Sequence, residues 1–450
     1  MFILQFKRFL RSGIAIIGLS LLLVAGVISI LAGKQHLAKQ AATVALTEQQ
    51  QQQHIQRNLE FFNKDIGLLL YYLKFGIANK TDGLNGLSIG QRDVNSAVQS
   101  ITIRGLENQR YDTDLFNPAG LLAGNLDFNF VLIYLFPLLI IAFCYNLVSE
   151  EKEGGTWKLL HVQSSTPVKL IMQKLAIRML AVYAVLGVLL LLSIIILPIE
   201  LNSGFAAVTA ISVFYLLCWF AMSIWIVSLR KNSSVNAAGL LSIWILLMFV
   251  LPGIVNNYLI REYAVPEAMH TVVEQREGYH EKWDMEKGPT MEKFWSHYPQ
   301  FRKYPLPEGE FSWLWYYAMQ QMGDDDAQEH STEMYEKLWQ RECASERIGW
   351  FVPSLHAQQQ FNTVAGSGLR NQLQFLDSTA KFHERLRMQF YPSIFENRDA
   401  KQLNWQGFSM EYFSGPPAFR WATVLLPFLL MTGLFAALGA WQFKKKTDIH

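Results

Sequence analysis

Six long apolar runs constrain this sequence more than any other feature. They lie at 13–32, 128–148, 176–198, 205–229, 235–259 and 421–443. A helix of about 20 apolar residues crosses the hydrocarbon core of a bilayer, and it satisfies its own backbone hydrogen bonds there. Arg178 is the one charged residue within these runs. The sequence therefore predicts an all-α membrane protein with six transmembrane helices.

The first run resembles a signal peptide because basic residues precede it. Its apolar length, however, exceeds the 7–15 residues that are usual in a cleaved signal, and no clear small-x-small cleavage site follows. We interpret it as an uncleaved membrane anchor, with a signal peptide as the alternative.

The distribution of Lys and Arg predicts the orientation, because short cytoplasmic loops of membrane proteins are enriched in them. The positive residues lie at one end of the predicted spans: Lys7, Arg8, Arg11, Lys152, Lys158, Lys169, Lys174, Arg178, Arg230, Lys231, Lys444, Lys445 and Lys446. The opposite turn at 200–204 has none. We expect both termini to lie in the cytoplasm.

The runs divide the chain into five parts. These are the cytoplasmic N-terminus with the first helix (1–33), an extracytoplasmic segment (34–127), helices two to five with a cytoplasmic loop at 149–175 (128–259), a second extracytoplasmic segment (260–420), and the sixth helix with a basic tail (421–450). Charged residues make up only 17% of the chain, below the roughly 25% of soluble proteins. Water-facing segments beside apolar spans explain this composition.

The first extracytoplasmic segment predicts a helical stalk that extends the first span. One apolar stripe recurs at helical spacing: Leu59, Phe62, Ile66, Leu69 and Leu73. The glutamine run at 49–53 could be a low-complexity linker, but it has no Gly or Pro, so we favour a continuous helix. The glycines at 83, 86 and 90 then indicate a looser return path.

The second extracytoplasmic segment is rich in tryptophan, which disordered segments avoid. Residues 369–390 place apolar side chains on one helical face, and Pro392 is expected to end that helix. Each segment is small alone. We therefore predict one mostly helical domain built from both insertions, in which the 369–390 helix packs on the 59–73 stripe.

The sequence shows no catalytic or metal-binding motif. It has no phosphate-binding G-x-x-x-x-G-K-[ST] loop and no H-E-x-x-H, C-x-x-C or G-x-S-x-G pattern. The acidic run at 324–326 could suggest calcium but lacks an EF-hand pattern, so a solvated loop is expected. We expect no enzymatic activity, no catalytic residues, no metal site and no cofactor bound by this chain.

The loop after the second span, SEEKEGGTWKLLHVQSSTPVKLIMQK at 149–174, is unusual for a simple connection. Three glutamates, Glu150, Glu151 and Glu153, precede a Gly-Gly pair that allows the backbone to turn. From Thr156 onward, apolar residues at helical spacing indicate short amphipathic helices at the membrane surface. An interfacial connector between two spans is the plain alternative.

The pattern E-K-E-G-G-T, followed by L-L, Pro and Lys, resembles the signature of ABC-2-type transporter permeases. The matching residues are Glu151, Glu153, Gly155, Thr156, Leu159, Leu160, Pro167 and Lys174. The resemblance implies six spans with both termini inside, and a loop onto which a separate ATPase docks. The segment beginning PSLHAQQQFNTVAGSG also resembles the outer region of a bacterial subgroup of these permeases that has a large extracytoplasmic region.

This resemblance implies a permease subunit of an ABC transporter in the bacterial inner membrane. Its expected partners are membrane lipid, a cytoplasmic ABC ATPase dimer that binds ATP and Mg²⁺, and a second permease subunit, identical or related; nucleic acid is not expected. Ionisable groups are absent from the centres of the spans, which favours an apolar or lipidic cargo, expected to be exported. The alternatives are a mechanotransmission subunit that acts on an envelope partner, or a membrane receptor.

Overall fold

The structure is a computed structural model that describes residues 2–110, 125–155, 167–265, 267–309, 311–415 and 419–445. Six of its helices are long and apolar enough to cross a membrane, which confirms the predicted all-α membrane protein. Spans 1 to 6 are Gly13–Phe62, Phe128–Glu153, Lys169–Ile196, Ser203–Ser228, Ser233–Glu262 and Trp421–Lys445. The other helices are α1 (Phe2–Leu10), α2 (Ile66–Tyr72), α3 (Glu107–Arg110), α4 (Glu267–Asp284), α5 (Lys287–His297), α6 (Trp313–Gly349), α7 (Pro353–Ala365) and α8 (Leu369–Phe395).

Span 1 continues out of the bilayer as the predicted stalk. Its 50 residues make a rod of about 75 Å at 1.5 Å per residue. The glutamine run belongs to this helix, and Gln51 is buried. Its Oε1 accepts from the Gly76 amide at 2.7 Å, and its Nε2 donates to the Phe408 carbonyl at 3.1 Å. The run thus fastens the stalk to the rest of the chain.

The apolar stripe at 59–73 does not lie on a single helix as predicted. Span 1 ends at Phe62, and α2 begins at Ile66 with Asp65 as its N-cap, whose Oδ1 accepts from the Leu68 amide at 2.9 Å. Asp at this position satisfies an amide at the start of a helix and so favours a new one. The stripe is therefore divided between two helices.

Spans 2 and 5 each contain a π-helical turn, at Val131–Leu135 and Leu246–Val250. Pro137 and Pro252 lie just beyond these turns. Proline lacks an amide hydrogen and clashes with the preceding turn of an α-helix, and a π-turn accommodates that local misfit. The two prolines therefore shape the backbone of spans 2 and 5.

The spans share one apolar core in which span 4 is central. Tyr215 and Trp219 of span 4 are fully buried, and the Tyr215 hydroxyl donates to the Ile133 carbonyl in the π-turn of span 2 at 2.9 Å. Spans 5 and 6 are much more exposed, with 17% and 22% of their most apolar windows buried. Their outer faces are available to lipid or to another subunit.

Both polar segments fold into a second unit, which we call the head. Its three strands are β1 (Phe75–Asn79), β2 (Val98–Ile101) and β3 (Glu411–Phe413), in the order β2-β1-β3. β1 pairs antiparallel with β2 and parallel with β3. Since β1 and β3 come from different segments, the head is assembled from both insertions, although the sequence did not predict a sheet.

The head has its own apolar core. Residues from stalk, α2, β1, α6 and α8 contribute to it, including Ile55, Leu69, Leu70, Phe75, Trp315, Tyr317, Phe382, Leu386 and Phe390. The predicted packing of the 369–390 helix against the 59–73 stripe is therefore present. Pro392 does not end α8, which continues to Phe395.

The glycine-rich stretch at 83–90 is closely packed and not loose as predicted. A side chain at Gly33 of span 1 would place its Cβ 1.8 Å from the Gly86 carbonyl oxygen. A Cβ at Gly83 would lie 2.2 Å from the Pro198 carbonyl oxygen, after span 3. Glycine permits these close backbone approaches, so this stretch joins the head to spans 1 and 3.

The acidic run at 324–326 lies inside α6 and is not a solvated loop. Asp324 is buried, accepts from the Leu106 amide at 2.8 Å and pairs with Arg387 of α8 at 2.7 Å. Asp325 contacts His297 of α5 at 3.0 Å, and Asp326 pairs with Lys282 of α4. The run therefore connects α6 to three other helices, a role that only the tertiary fold creates.

Helix α7 packs against spans 4, 5 and 6, and meets span 5 at its central π-turn. The Ser354 hydroxyl donates to the Leu247 carbonyl of span 5 at 2.6 Å, and His356 Nε2 lies 3.1 Å from the Val424 carbonyl of span 6. Phe361 is buried in the core of the spans. At its other end, α7 receives a hydrogen bond from the head, which the Asn85 side chain donates to the Ala365 carbonyl.

The first prediction concerns orientation. We expect Ser296→Cys, exposed in the head, to react with a membrane-impermeant maleimide in intact spheroplasts, and Lys445→Cys to react only after permeabilisation. Both substitutions are made in a Cys343→Ser chain, because Cys144 and Cys218 are buried. Labelling of Lys445→Cys in intact spheroplasts would contradict the predicted orientation.

The second prediction concerns the buried ion pair in the head. Arg387→Met leaves Asp324 buried without its partner, which typically costs about 3–5 kcal/mol. We expect the head to become sensitive to limited proteolysis. The matched control is Arg385→Met on the same helix, because Arg385 is 57% exposed and an exposed pair contributes at most about 1 kcal/mol. Equal resistance of both variants would show that the pair does not stabilise the head.

Candidate functional site

The structure describes five of the eight residues predicted for ATPase coupling. Glu151, Glu153, Gly155, Pro167 and Lys174 are described. The other three, Thr156, Leu159 and Leu160, lie outside the described residues, as does the amphipathic helix predicted to begin at Thr156. We call residues 149–155 the charged turn.

The loop is shorter than the predicted 149–175. A helix begins at Pro167 and continues without a break to Ile196. Ile171 and Met172, two of the apolar residues after Thr156 from which short amphipathic helices are predicted, therefore belong to the helix of span 3. Ile171 is buried, whereas Met172 is exposed, so this part of the helix does have one buried side.

Glu151 links the charged turn to span 3. Its Oε1 accepts from Lys174 Nζ at 2.5 Å, and Glu150 Oε2 lies 3.9 Å from the same nitrogen. The side chains of Lys174 and Glu151 are 16% and 22% exposed. Because they are largely shielded from water, their attraction is screened less than that of a surface pair.

Glu153 links the charged turn to span 5. Its two carboxylate oxygens accept from the Ser233 amide and from the Ser233 hydroxyl, each at 2.7 Å. The Asn232 side chain caps the same helix by accepting from the Val235 amide at 3.0 Å. Free amides at a helix start attract a carboxylate, which explains the position of Glu153.

The backbone around the charged turn is also fixed. The short helix Ser149–Glu153 ends at Gly154, and Gly155 adopts a left-handed conformation with φ of +72°. Among the described residues, no atom lies within 4 Å of a Cβ placed there. Glycine is thus favoured at 155 for its backbone conformation and not for lack of space.

Several polar side chains of the same region face solvent. Glu150, Lys152, Lys169 and Lys231 are exposed, and Lys152 also donates to the Arg230 carbonyl at 3.3 Å. The surface around the charged turn therefore presents both signs of charge, which suits a hydrogen-bonding protein partner.

Sequence reasoning missed the residues that complete this arrangement. Arg230, Ser233 and Asn236 contact the charged turn or the end of span 2. The pair Asn232–Ser233 at the start of an apolar run is a recognisable N-cap signal. That signal predicts the start of the helix. It does not predict that Glu153, which lies 80 residues earlier in the chain, bonds to Ser233 there.

The described residues contain no group of three or more His, Cys, Asp or Glu side chains that could hold a metal ion.

Comparison with known proteins gives one match. A family described as a domain of unknown function, DUF3526, matches residues 268–412, which covers α4 to α8 and β3 of the head. No curated protein and no solved structure matches. The matched region excludes all six spans and the charged turn.

The third prediction tests the link between spans 2 and 3. Glu151→Lys and Lys174→Glu each place two like charges together, and we expect each to lower the melting temperature of the protein purified in detergent. The double variant restores opposite charges and should recover most of the loss, with a coupling of roughly 1 kcal/mol. Lys169→Glu, exposed on the same helix, is the control. Additive losses would mean that the pair contributes nothing.

Proposed function

We propose that this chain is the permease subunit of an ATP-driven ABC transporter in a bacterial inner membrane, with the charged turn in the cytoplasm. A separate ATPase dimer would bind ATP and Mg²⁺ and dock at this turn. The observation that supports the proposal most is that the turn is bonded to three spans at once. It ends span 2, pairs with Lys174 of span 3 and bonds Ser233 of span 5.

These bonds suit the turn for transmitting force. A partner that pushes on residues 149–155 displaces the ends of spans 2, 3 and 5 together, because Glu151 and Glu153 hold them to one another. A connector with no such bonds would bend and absorb the displacement. The exposed glutamate and lysines around the turn would supply the contacts to the ATPase.

The outer faces of spans 5 and 6 support a second permease subunit, identical or related. Exposed apolar residues on span 5 include Phe249 at 56% and Ile254 at 58%, and Leu430 on span 6 is 61% exposed. Lipid alone can cover such faces, so they support a dimer interface without requiring one. A lipidic cargo, moved outward, remains our proposal for the substrate.

A second candidate is mechanotransmission to a partner in the cell envelope. Helix α7 favours it, because its bonds to Leu247 and Val424 couple the head directly to spans 5 and 6. In this case ATP hydrolysis would change the position of the head without passage of a cargo.

The fourth prediction tests ATPase coupling at Gly155. Valine is strained at φ of +72°, whereas Gly154 has an ordinary φ of −79° that alanine adopts readily. We expect Gly155→Val to abolish co-purification of the ATPase encoded nearest to this chain, or to reduce its hydrolysis rate at least tenfold. Gly154→Ala should retain both.

Membrane insertion should be intact in both variants, since neither position lies in an apolar run. Gel filtration of the purified variants checks this. Normal association and normal hydrolysis with Gly155→Val would show that the turn is only a connector, and the transporter proposal would lose its main support.

A further inference from the structure

A cavity of about 420 Å³ lies where the head meets the ends of spans 3 and 4. Its walls come from the turn between these spans, from residues 80–85, from the end of α7, and from α6 and the start of α8. This volume falls in the range of small-ligand sites. The cavity is far from the charged turn, at the opposite ends of the spans.

The walls of the cavity are held by buried hydrogen bonds. Arg92 is buried and donates to the Asn79 carbonyl at 3.0 Å and to the Gly366 carbonyl at 3.1 Å. Arg370 is already paired with Glu346 at 2.8 Å. Since these cations are engaged in the fold, the cavity is built before any ligand enters.

Three other charged side chains of the lining have no such partner. Lys80, Glu200 and Glu342 make no side-chain hydrogen bond or ion pair within the part of the chain that the structure describes. Burial, with the negative charge of Glu346, raises the pKa of Glu342 to about 7, against the opposing effect of Arg370. Glu342 is partly exposed at the cavity wall, and partial burial of a carboxylate without a partner is unfavourable, so Glu342 favours a ligand that donates hydrogen bonds or carries positive charge.

The position of the cavity indicates an amphiphile. Leu201 lies between Glu200 and Asn202, which both line the cavity, and it is 74% exposed. Ile195, in the last turn of span 3, is 77% exposed. Apolar side chains exposed at the end of a membrane span face lipid, so the rim of the cavity borders the surface of the bilayer.

The lining also distinguishes between kinds of ammonium group. A quaternary ammonium is usually held in a cage of aromatic rings, and no aromatic side chain lines this cavity among the residues described. A primary ammonium needs hydrogen-bond acceptors instead, which the carboxylates of Glu200 and Glu342 provide. Lys80 offers a positive charge for an accompanying phosphate.

We propose that this cavity binds a ligand with a primary ammonium and a phosphate, which at this membrane surface is the headgroup of phosphatidylethanolamine. The ammonium lies at Glu342 and Glu200, and the phosphate lies at Lys80. Lipid binding at this site does not require an ATPase, so its test is independent of the proposed function.

The fifth prediction is tested with the full chain in detergent micelles that contain phosphatidylethanolamine, phosphatidylcholine or phosphatidylglycerol. Native mass spectrometry measures the bound lipid. We expect phosphatidylethanolamine to bind at least tenfold tighter than the other two, and Glu342→Gln or Lys80→Gln to remove most of this preference. Glu333→Gln, exposed on the same helix as Glu342, should keep it.

Unchanged melting temperatures without lipid show that the variants are folded. Equal binding of the three lipids, or a preference that survives both Glu342→Gln and Lys80→Gln, would overturn the proposal. Competition by glycerophosphoethanolamine separates the two sources of this chemistry. If glycerophosphoethanolamine binds more weakly than the intact lipid, the result supports a membrane ligand. If it binds as strongly as the intact lipid, the result supports a soluble ligand with the same headgroup.

Discussion

The hydrogen bonds of α7 join two parts of the protein that fold in different solvents. The spans are stabilised by apolar packing and internal backbone bonds in lipid, whereas the head has a conventional apolar core in water. Ser354 and His356 bond α7 to spans 5 and 6, and Asn85 and Arg92 bond the far end of α7 to the head. Without this helix, the stalk and the loops around the ends of the spans would be the remaining connections.

The charged turn has the corresponding role at the opposite ends of the spans. Glu151 and Glu153 hold span 2 to spans 3 and 5, as Ser354 and His356 hold α7 to spans 5 and 6. Span 5 takes part in both sets of bonds, with Ser233 at its start and Leu247 about 21 Å further along at 1.5 Å per residue. A displacement of the turn therefore has a direct physical route to α7 and the head.

The sequence predicted those features that depend on local pattern. The spans follow from apolar length alone, and the stalk follows from the absence of Gly and Pro through the glutamine run. Asp324 shows the limit of this reasoning. Three consecutive aspartates predict a solvated segment from sequence, but the fold places Arg387 Nη2 2.7 Å from Asp324 Oδ2. The sheet was missed for the same reason, since β1 and β3 pair across more than 300 residues of chain.

The charged turn was found by composition and resemblance, but its contacts were not. Glu153 is one of the residues predicted for ATPase coupling, and its oxygens meet Ser233 at the start of span 5. This result changes the physical meaning of the motif. A glutamate that is already bonded within the chain contributes to stiffness and does not need a partner to be satisfied, so recognition by an ATPase would depend more on Glu150 and the lysines nearby.

In the membrane-spanning part of this protein, charged side chains are concentrated at the two ends of the spans. This distribution limits where that part of the protein can use charge. Arg178 is the one charged residue in the apolar runs, and it lies near the charged turn, so the centres of the spans offer no ion relay. In the proposed transporter, energy for movement would therefore enter at one end of the spans, which the bonded turn permits. A ligand that is recognised by charge must likewise be recognised at an end, and the cavity beside Glu342 lies at the other one. An amphiphile fits this division, because its headgroup can stay at the surface while its chains contact the apolar sides of the spans.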